Sequence, residues 1–169
     1  AKQLAGACAR GGQAVGNDYW RTGGRRALVS QAGVTSVTCA IALFVYRRPD
    51  LLKGVLADLF SNPEMAQTPL YVFSDAARHE QDVEAVDRVR ELCRGIRTDA
   101  GLQLVFRPHN MGCAANVIAG VSEVLAEHEN VIVIEEDFRL SPPFLSYMNA
   151  ALTNYRERSD IYSISGFPP

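Results

Sequence analysis

Three consecutive acidic residues follow a short apolar run late in the chain. Glu135, Glu136 and Asp137 come directly after residues 131–134, which read Val-Ile-Val-Ile. An unbroken apolar run of this kind is typical of a strand that is covered on both faces in a parallel sheet. The acids would then lie at the carboxyl end of a core strand, where open α/β sheets place their ligands.

Two interpretations of this acidic run remain open. Three like charges beside the core repel one another and resist desolvation unless a cation joins them. A divalent metal meets that requirement, because Mg²⁺ and Mn²⁺ prefer carboxylate oxygens and complete their shells with water and phosphate. The alternative is a solvated acidic turn after a strand. The run by itself favours neither.

The basic residues of the chain are nearly all arginine. Lys2 and Lys53 are the only lysines among the 17 Lys and Arg residues. Guanidinium groups make forked contacts with oxyanions, which would suit phosphate recognition, whereas a codon bias toward arginine is the alternative. No lysine follows Lys53, which counts against a phosphoacceptor signalling domain. The formal net charge of −2 gives no indication of a nucleic acid or an anionic membrane as partner.

Four cysteines bear on the cellular compartment. They are Cys8, Cys39, Cys93 and Cys113. None belongs to a C-x-x-C motif or shows the spacing of a metal site, and three of the four lie among apolar residues. Free thiols of this kind favour a reducing, cytoplasmic location. No stretch is long and apolar enough to span a bilayer. Residues 1–24 lack the continuous apolar region of a signal peptide.

Strands and helices alternate from Ser36 onward. Apolar runs predict five strands, and apolar residues at helical spacing predict a helix after each of the first four. The predicted strands cover residues 37–46, 69–73, 102–106, the run before the acids, and 161–165. This alternation predicts an α/β domain over residues 36–169, with a mostly parallel sheet and helices on both faces. Residues 1–35 are predicted to be an N-terminal extension or poorly ordered arm.

The order of the strands decides whether their polar ends meet. If the order is 3-2-1-4, with strands numbered along the chain, the chain adds the second and third strands on one side of the first and the fourth on the other side. The crevice at that switch point would bring Arg47 and Arg48 beside the acids. Only one of these arginines can point into it, because neighbours on an extended segment face opposite ways. Arginine for phosphate and carboxylate for metal would then suit a metal-bound diphosphate.

Several short segments, in this order, resemble the donor-binding half of GT-A glycosyltransferases. They are Y-R-R-P at 46–49, F-S-D at 73–75, R-P-H-N-M-G-C at 107–113 leading to Asn116, I-E-E-D at 134–137 followed by S-P-P-F-L at 141–145, and S-I-S-G at 163–166. The chain is similar to bacterial family-2-like transferases and to the N-acetylglucosaminyltransferase I group. The resemblance implies a GT-A fold truncated at its C-terminus. It also implies a metal-dependent enzyme that transfers sugar from a nucleotide-diphospho-sugar, a UDP-sugar, to an acceptor.

The resemblance implies a role for each matching position. Asp137 would ligate Mn²⁺ or Mg²⁺, while Glu135 and Glu136 would approach the ribose or donor sugar and tune the metal site. Asp75 would accept a hydrogen bond from the uracil ring. Arg48 would lie near the base and the diphosphate. Asn110, Gly112 and Asn116 would form the loop and helix start beneath the nucleotide.

The chain also departs from the family pattern. Ala115 stands where family members often have arginine, and Glu136 stands where members of these groups often carry aspartate. In these enzymes a later segment supplies the general base and most of the acceptor site, so no catalytic residue is assigned. The chain would be a fragment, be completed by a partner chain, or bind a donor without turning it over. The alternative function is therefore a non-catalytic nucleotide-sugar-binding or assembly module.

Overall fold

A six-stranded sheet forms the centre of the structure, a computed structural model that describes residues 7–9 and 39–166. Its strands are β1 (Ala7–Ala9), β2 (Ala40–Val45), β3 (Leu70–Ser74), β4 (Leu102–Phe106), β5 (Val131–Glu135) and β6 (Ser163–Ser165). The strand order is β4-β3-β2-β5-β1-β6. Strand β2 pairs in parallel with β3 and β5, and β3 pairs in parallel with β4. The predicted α/β fold with a mostly parallel sheet is confirmed.

Four α-helices cover the two faces of the sheet. They are α1 (Pro49–Phe60), α2 (Val83–Arg94), α3 (Cys113–Leu125) and α4 (Phe144–Asn154), and 3₁₀ turns occupy Pro63–Gln67 and Glu80–Asp82. Helices α1, α2 and α4 pack on one face, whereas α3 packs on the other. No helix in the part of the chain that the structure describes is long and apolar enough to cross a bilayer. The cytoplasmic location stays a prediction.

Strand β2 shows why the sheet accepts helices on both sides. All six of its residues are buried. Ile41 and Leu43 contribute to the larger core with α1, α2 and α4, while Phe44 faces α3 together with two alanines of the strand. On the α3 side, a Cβ at Gly120 would lie 2.7 Å from the Phe44 ring and 3.0 Å from the Phe73 ring. The absence of a side chain at Gly120 therefore lets α3 approach the sheet closely.

The assumed order of the four parallel strands is also the observed one. The predicted strands 1, 2, 3 and 4 are β2, β3, β4 and β5. Their observed order across the sheet, β4-β3-β2-β5, is therefore the order 3-2-1-4. From β2 the chain adds β3 and β4 on one side and then β5 on the other. A crevice opens at this switch point, between the carboxyl ends of β2 and β5. The last strand is shorter than predicted, because the Ile161 N–H bonds to the Arg158 carbonyl in a turn at 3.2 Å.

A short N-terminal strand was not predicted from the sequence. Ala7–Ala9 lies between β5 and β6 and is antiparallel to both, with Cys8 opposite Ile132 and Ile164. Three residues are too few to show a period, so hydrophobic patterning could not identify the strand. The rest of the predicted extension lies outside the described residues, and the boundary near residue 35 stays a prediction.

Candidate functional site

A pocket of about 190 Å³ lies at the carboxyl ends of the parallel strands, in front of the first turn of α3. Seven of the eight residues singled out from the sequence line it: Arg48, Asp75, Asn110, Gly112, Asn116, Glu135 and Glu136. The eighth, Asp137, is not part of the lining. The remaining lining residues have no role predicted from the sequence; they are Phe44, Val45, Tyr46, Arg78, Cys113 and Val117. The chain thus brings most of the predicted residues together.

Asp75 anchors the loop between β4 and α3. Its side chain follows β3 and is only 5% exposed. The carboxylate accepts hydrogen bonds from the backbone N–H groups of Met111 and Gly112, each at 2.9 Å, and from the Asn110 amide at 3.1 Å. The Ala76 N–H adds a fourth partner at 2.9 Å. Both oxygens are therefore occupied by the protein's own donors, and a hydrogen bond to uracil stays a prediction.

Gly112 allows the loop to enter α3. It has φ +78° and ψ 157°, a backbone conformation that is essentially restricted to glycine. No side chain caps the start of α3, and the first turn carries no acidic residue. The N–H groups of that turn are consequently available to an anion, which a helix N-terminus favours through its partial positive charge.

We expect Gly112→Ala to lower the free energy of unfolding by about 1–3 kcal/mol, the range for residues held in sparsely populated backbone regions. A Cβ there would meet no atom within 4 Å, so the loss would come from backbone strain alone. Gly54→Ala is the matched control, since Gly54 lies inside α1 with equally open space. That change should stabilise the protein by about 0.5–1 kcal/mol. Urea denaturation of both variants checks this, and equal effects of the two would contradict it.

Asn116 is held at the back of the pocket by Arg107. The Asn116 side chain is 4% exposed, and its Oδ1 accepts a hydrogen bond from Arg107 Nε at 3.0 Å. Arg107 is fixed in turn by an ion pair with Glu123 at 2.8 Å and by the Phe73 ring below its guanidinium group. Within residues 39–166, Asn116 Nδ2 makes no hydrogen bond. Asn116 therefore lines the pocket with its amide oxygen engaged and its Nδ2 without a protein partner in the described chain.

Two of the three residues of the acidic lip, which comprises Glu135, Glu136 and Asp137, are joined by a cation from the protein itself. Glu136 is 3% exposed, and its Oε2 accepts the Tyr46 N–H at 2.7 Å. Arg48 donates from Nε to Glu136 at 2.7 Å and from a terminal nitrogen to Asp137 at 3.1 Å. Arg48 thus supplies part of the neutralising charge that the sequence analysis attributed to a metal. The neighbouring Arg47 turns away and pairs with Asp82.

The segment after the acidic lip is fastened to α1. Asp58 is 16% exposed and accepts hydrogen bonds from Arg139 Nε at 2.6 Å and from the Leu140 N–H at 3.1 Å. The Arg139 guanidinium lowers the pKa of Asp58 below its ordinary value, against a smaller opposing effect of desolvation. This contact fixes the chain that leaves the acidic lip.

Glu135 differs from its two neighbours in the acidic lip. It is half-buried in the pocket wall and makes no side-chain hydrogen bond or ion pair with the described residues. Desolvation raises the pKa of Glu135, the Asp137 charge raises it further, and Arg48 opposes the increase. Its ionised form is therefore disfavoured in the folded state.

We expect Glu135→Gln to stabilise the protein at pH 7 by about 0.5 kcal/mol, the scale of one like-charge contact in a sheet. Because folding raises this pKa, the native state binds the proton more tightly than the unfolded state. Wild type therefore loses stability as the pH rises from the ordinary pKa of glutamate through the pKa of Glu135 in the folded state. The stability advantage of Glu135→Gln over wild type should vanish below about pH 4. Urea denaturation across this range checks the prediction. Glu91→Gln, an exposed change on α2, is the control. A Glu135→Gln variant less stable than wild type at pH 7 would contradict it.

The described residues do not form a complete metal cage. No group of three or more His, Cys, Asp or Glu side chains among residues 39–166 is arranged to hold a metal ion. Glu136 is occupied by Tyr46 and Arg48, and Asp137 is paired with Arg48, so Glu135 is the carboxylate of the acidic lip without a partner among the described residues. One or two carboxylates suit Mg²⁺ or Mn²⁺ where phosphate and water complete the shell. A metal at the acidic lip would therefore need phosphate and water for most of its shell, and Mn²⁺ or Mg²⁺ stays a prediction.

No protein-family model matches the sequence, and no curated protein matches it. The fold is similar to a crystal structure of S. aureus TarS, with a TM-score of 0.48 and 16% identity over 69% of this chain and 20% of that chain. A structure titled S. aureus TarS 1-349 gives the same TM-score and 15% identity, over 69% of this chain and 33% of that one. The chain thus spans a third or less of these structures. A likeness at this level says nothing about activity, and membership of the family-2-like or N-acetylglucosaminyltransferase I group stays a prediction.

Proposed function

We propose that this domain binds a nucleotide-diphospho-sugar in the pocket and acts as a glycosyltransferase domain with a UDP-sugar donor. One observation carries the proposal: seven residues chosen from the sequence converge on a single pocket at the switch point of the sheet. They come from four separate segments, which lie at or beyond the carboxyl ends of β2, β3, β4 and β5.

The pocket offers different chemistry along its length. The end beside Asp75 and Asn110 would take the nucleobase, and the uncapped start of α3 would take phosphate through its N–H groups. The free Nδ2 of Asn116 would add a donor beneath the nucleotide. Glu135 would face the ribose or the donor sugar at the β5 end. The protein's contribution is positioning together with fixed charge.

The proposal includes Mn²⁺ or Mg²⁺ at the acidic lip. Asp137 would hold the ion with Glu135 beside it, and the donor's phosphates and water would complete the shell. A divalent cation there would stabilise the negative charge that develops on the diphosphate leaving group. Arg48 orients Asp137 and Glu136 and so keeps the lip from spreading into solvent.

Calorimetric titration of UDP and UDP-sugars, with Mn²⁺ and with EDTA, tests this function. We expect wild type to bind more tightly with Mn²⁺, and Asp137→Ala to lose at least about tenfold in that affinity, the lower end of what an outer-shell partner contributes at a metal site. In EDTA the variant and wild type should bind alike, which separates loss of the metal ligand from loss of the Arg48 contact.

Asp87→Ala removes one exposed carboxylate from α2 and is the matched control for a change in net charge. It should bind UDP as wild type does in both buffers. Equal Mn²⁺-dependent binding by Asp137→Ala and wild type would remove Asp137 from the metal site. If wild type bound no uridine nucleotide in either buffer, the proposed function would fail.

A donor-binding module without turnover is the second candidate, because the pocket lining contains no histidine and both Asp75 and Glu136 are engaged in structural contacts. On this view the general base and the acceptor site would come from a partner chain or a further segment. Release of UDP from a bound UDP-sugar favours the enzyme. Binding without hydrolysis or transfer favours the module.

A further inference from the structure

Arg78 is a pocket residue that the sequence analysis did not single out. It lies in the segment after β3, three residues beyond Asp75, and lines the pocket with an exposed side chain. Its guanidinium group makes no hydrogen bond or ion pair with the residues that the structure describes. An unengaged cation at the mouth of a pocket is available to a ligand.

The other charges of the pocket lining are already engaged or negative. Arg48 is bound to Glu136 and Asp137. Glu135 is an anion without such a partner in the described chain, and residues 113–116 at the start of α3 carry no charged side chain. Among the described lining residues, Arg78 is therefore the cation left to meet an anionic ligand.

Two consecutive hydrogen bonds fix the backbone of Arg78. Its N–H donates to the Tyr46 hydroxyl at 2.9 Å, and that hydroxyl donates to Asp82 at 3.1 Å. Asp82 is 4% exposed and is also paired with Arg47. Desolvation and the hydrogen bond to Asp82 raise the pKa of Tyr46, while the Arg78 N–H opposes the increase, so the hydroxyl remains protonated and able to donate. Tyr46 thus acts as a positioning residue for Arg78.

We propose that Arg78 binds the diphosphate of the nucleotide donor, an inference that rests on the proposed function. A guanidinium group is a donor-only, forked cation that matches the oxygens of phosphate better than the neutral edge of a pyrimidine. Together with the uncapped start of α3, Arg78 would neutralise phosphate charge that Glu135 would otherwise repel.

The test compares UDP, uridine and inorganic pyrophosphate as ligands, by calorimetry in EDTA so that metal chelation plays no part. Arg78→Ala should weaken UDP and pyrophosphate binding by about tenfold or more and change uridine binding by less than about twofold. Arg78→Lys should recover part of the loss, since it restores the charge without the fork. Arg88→Ala, an exposed change on α2 outside the pocket, is the control and should have no effect.

A double-mutant cycle tests the positioning role of Tyr46. Tyr46→Phe removes the hydroxyl that accepts the Arg78 N–H and should weaken UDP binding by about threefold. In the Arg78→Ala background the same change should have no further effect on UDP affinity. Additive losses would overturn the link between Tyr46 and Arg78.

The outcomes separate this inference from the proposed function. Wild-type affinity of Arg78→Ala for UDP overturns the inference alone, as does an equal loss for uridine, which would place Arg78 on the nucleoside. Binding of pyrophosphate that depends on Arg78, without binding of UDP either in EDTA or with Mn²⁺, overturns the proposed function and leaves the anion site standing. Binding of none of the three ligands by wild type in EDTA overturns this inference, and the proposed function fails as well if UDP does not bind with Mn²⁺ either.

Discussion

Replacement of Asp75 by alanine should lower the free energy of unfolding by about 3–4 kcal/mol. The carboxylate is buried and accepts from the Met111, Gly112 and Ala76 N–H groups and from Asn110. Its loss leaves several partly buried donors without their acceptor. A fully buried unsatisfied group costs about 1–3 kcal/mol, and water that reaches these donors lowers the cost of each. Urea denaturation measures the change. Hydrogen exchange at Met111 and Gly112 should accelerate in parallel.

Two further variants define the origin of this loss. Asp75→Asn keeps the shape but turns a donor toward the loop, so we expect a loss of about 2 kcal/mol. Asp87→Ala removes an exposed aspartate from α2 and should stay within about 0.5 kcal/mol of wild type. An Asp75→Ala protein as stable as Asp87→Ala would mean that Asp75 does not anchor the loop.

Replacement of Glu136 by alanine should lower the free energy of unfolding by about 2–3 kcal/mol. The Tyr46 N–H would lose its acceptor, and Arg48 would lose the nearer of its two carboxylates. Breaking a buried ion pair by removing one partner costs about 3–5 kcal/mol. We expect less here because the Arg48 side chain is 46% exposed and retains both water and Asp137. Chemical denaturation checks the value.

Glu136→Gln separates the two contributions, because its amide carbonyl can still accept the Tyr46 N–H while the charge is removed. The free energy of unfolding of Glu136→Gln should lie between those of wild type and Glu136→Ala. Glu91→Ala is the exposed control on α2. A Glu136→Ala variant no less stable than Glu91→Ala would show that the Arg48 contact contributes nothing to folding.

The parallel core of the fold could be predicted from the sequence because its signals are local. The buried runs of β2 and β5 show no alternation, and the apolar residues of α1 and α2 recur at helical spacing, as in Leu52, Val55 and Leu59. The observed order of these strands then places the polar residues at their carboxyl ends around one crevice. Strand β1 could not be predicted because three residues carry no period.

The partners of individual charges could not be predicted, because they depend on contacts between distant parts of the chain. Arg48 meets Glu136 across 88 positions, and Asp75 meets Gly112 across 37. Nothing local in the sequence distinguishes a carboxylate that anchors a loop from one that faces a ligand. Arg78 was missed for the same reason, since its contact with Tyr46 joins residues 32 positions apart in the chain.

Protection of Cys113 from alkylation tests most directly whether a uridine nucleotide occupies this pocket. Cys113 is an exposed thiol at the start of α3 and lines the pocket, while Cys39 and Cys93 are buried. Partial desolvation and the carboxylates of Glu135 and Asp75 raise the pKa of the Cys113 thiol, so its alkylation at mildly alkaline pH should be slow enough to follow.

The rate of iodoacetamide labelling at Cys113, followed by mass spectrometry, should fall about tenfold when UDP and Mn²⁺ are present at about ten times the dissociation constant. Cys39 and Cys93 serve as internal references and should remain unlabelled in the native protein. An unchanged labelling rate at Cys113 while UDP is bound would place the nucleotide elsewhere and contradict the account.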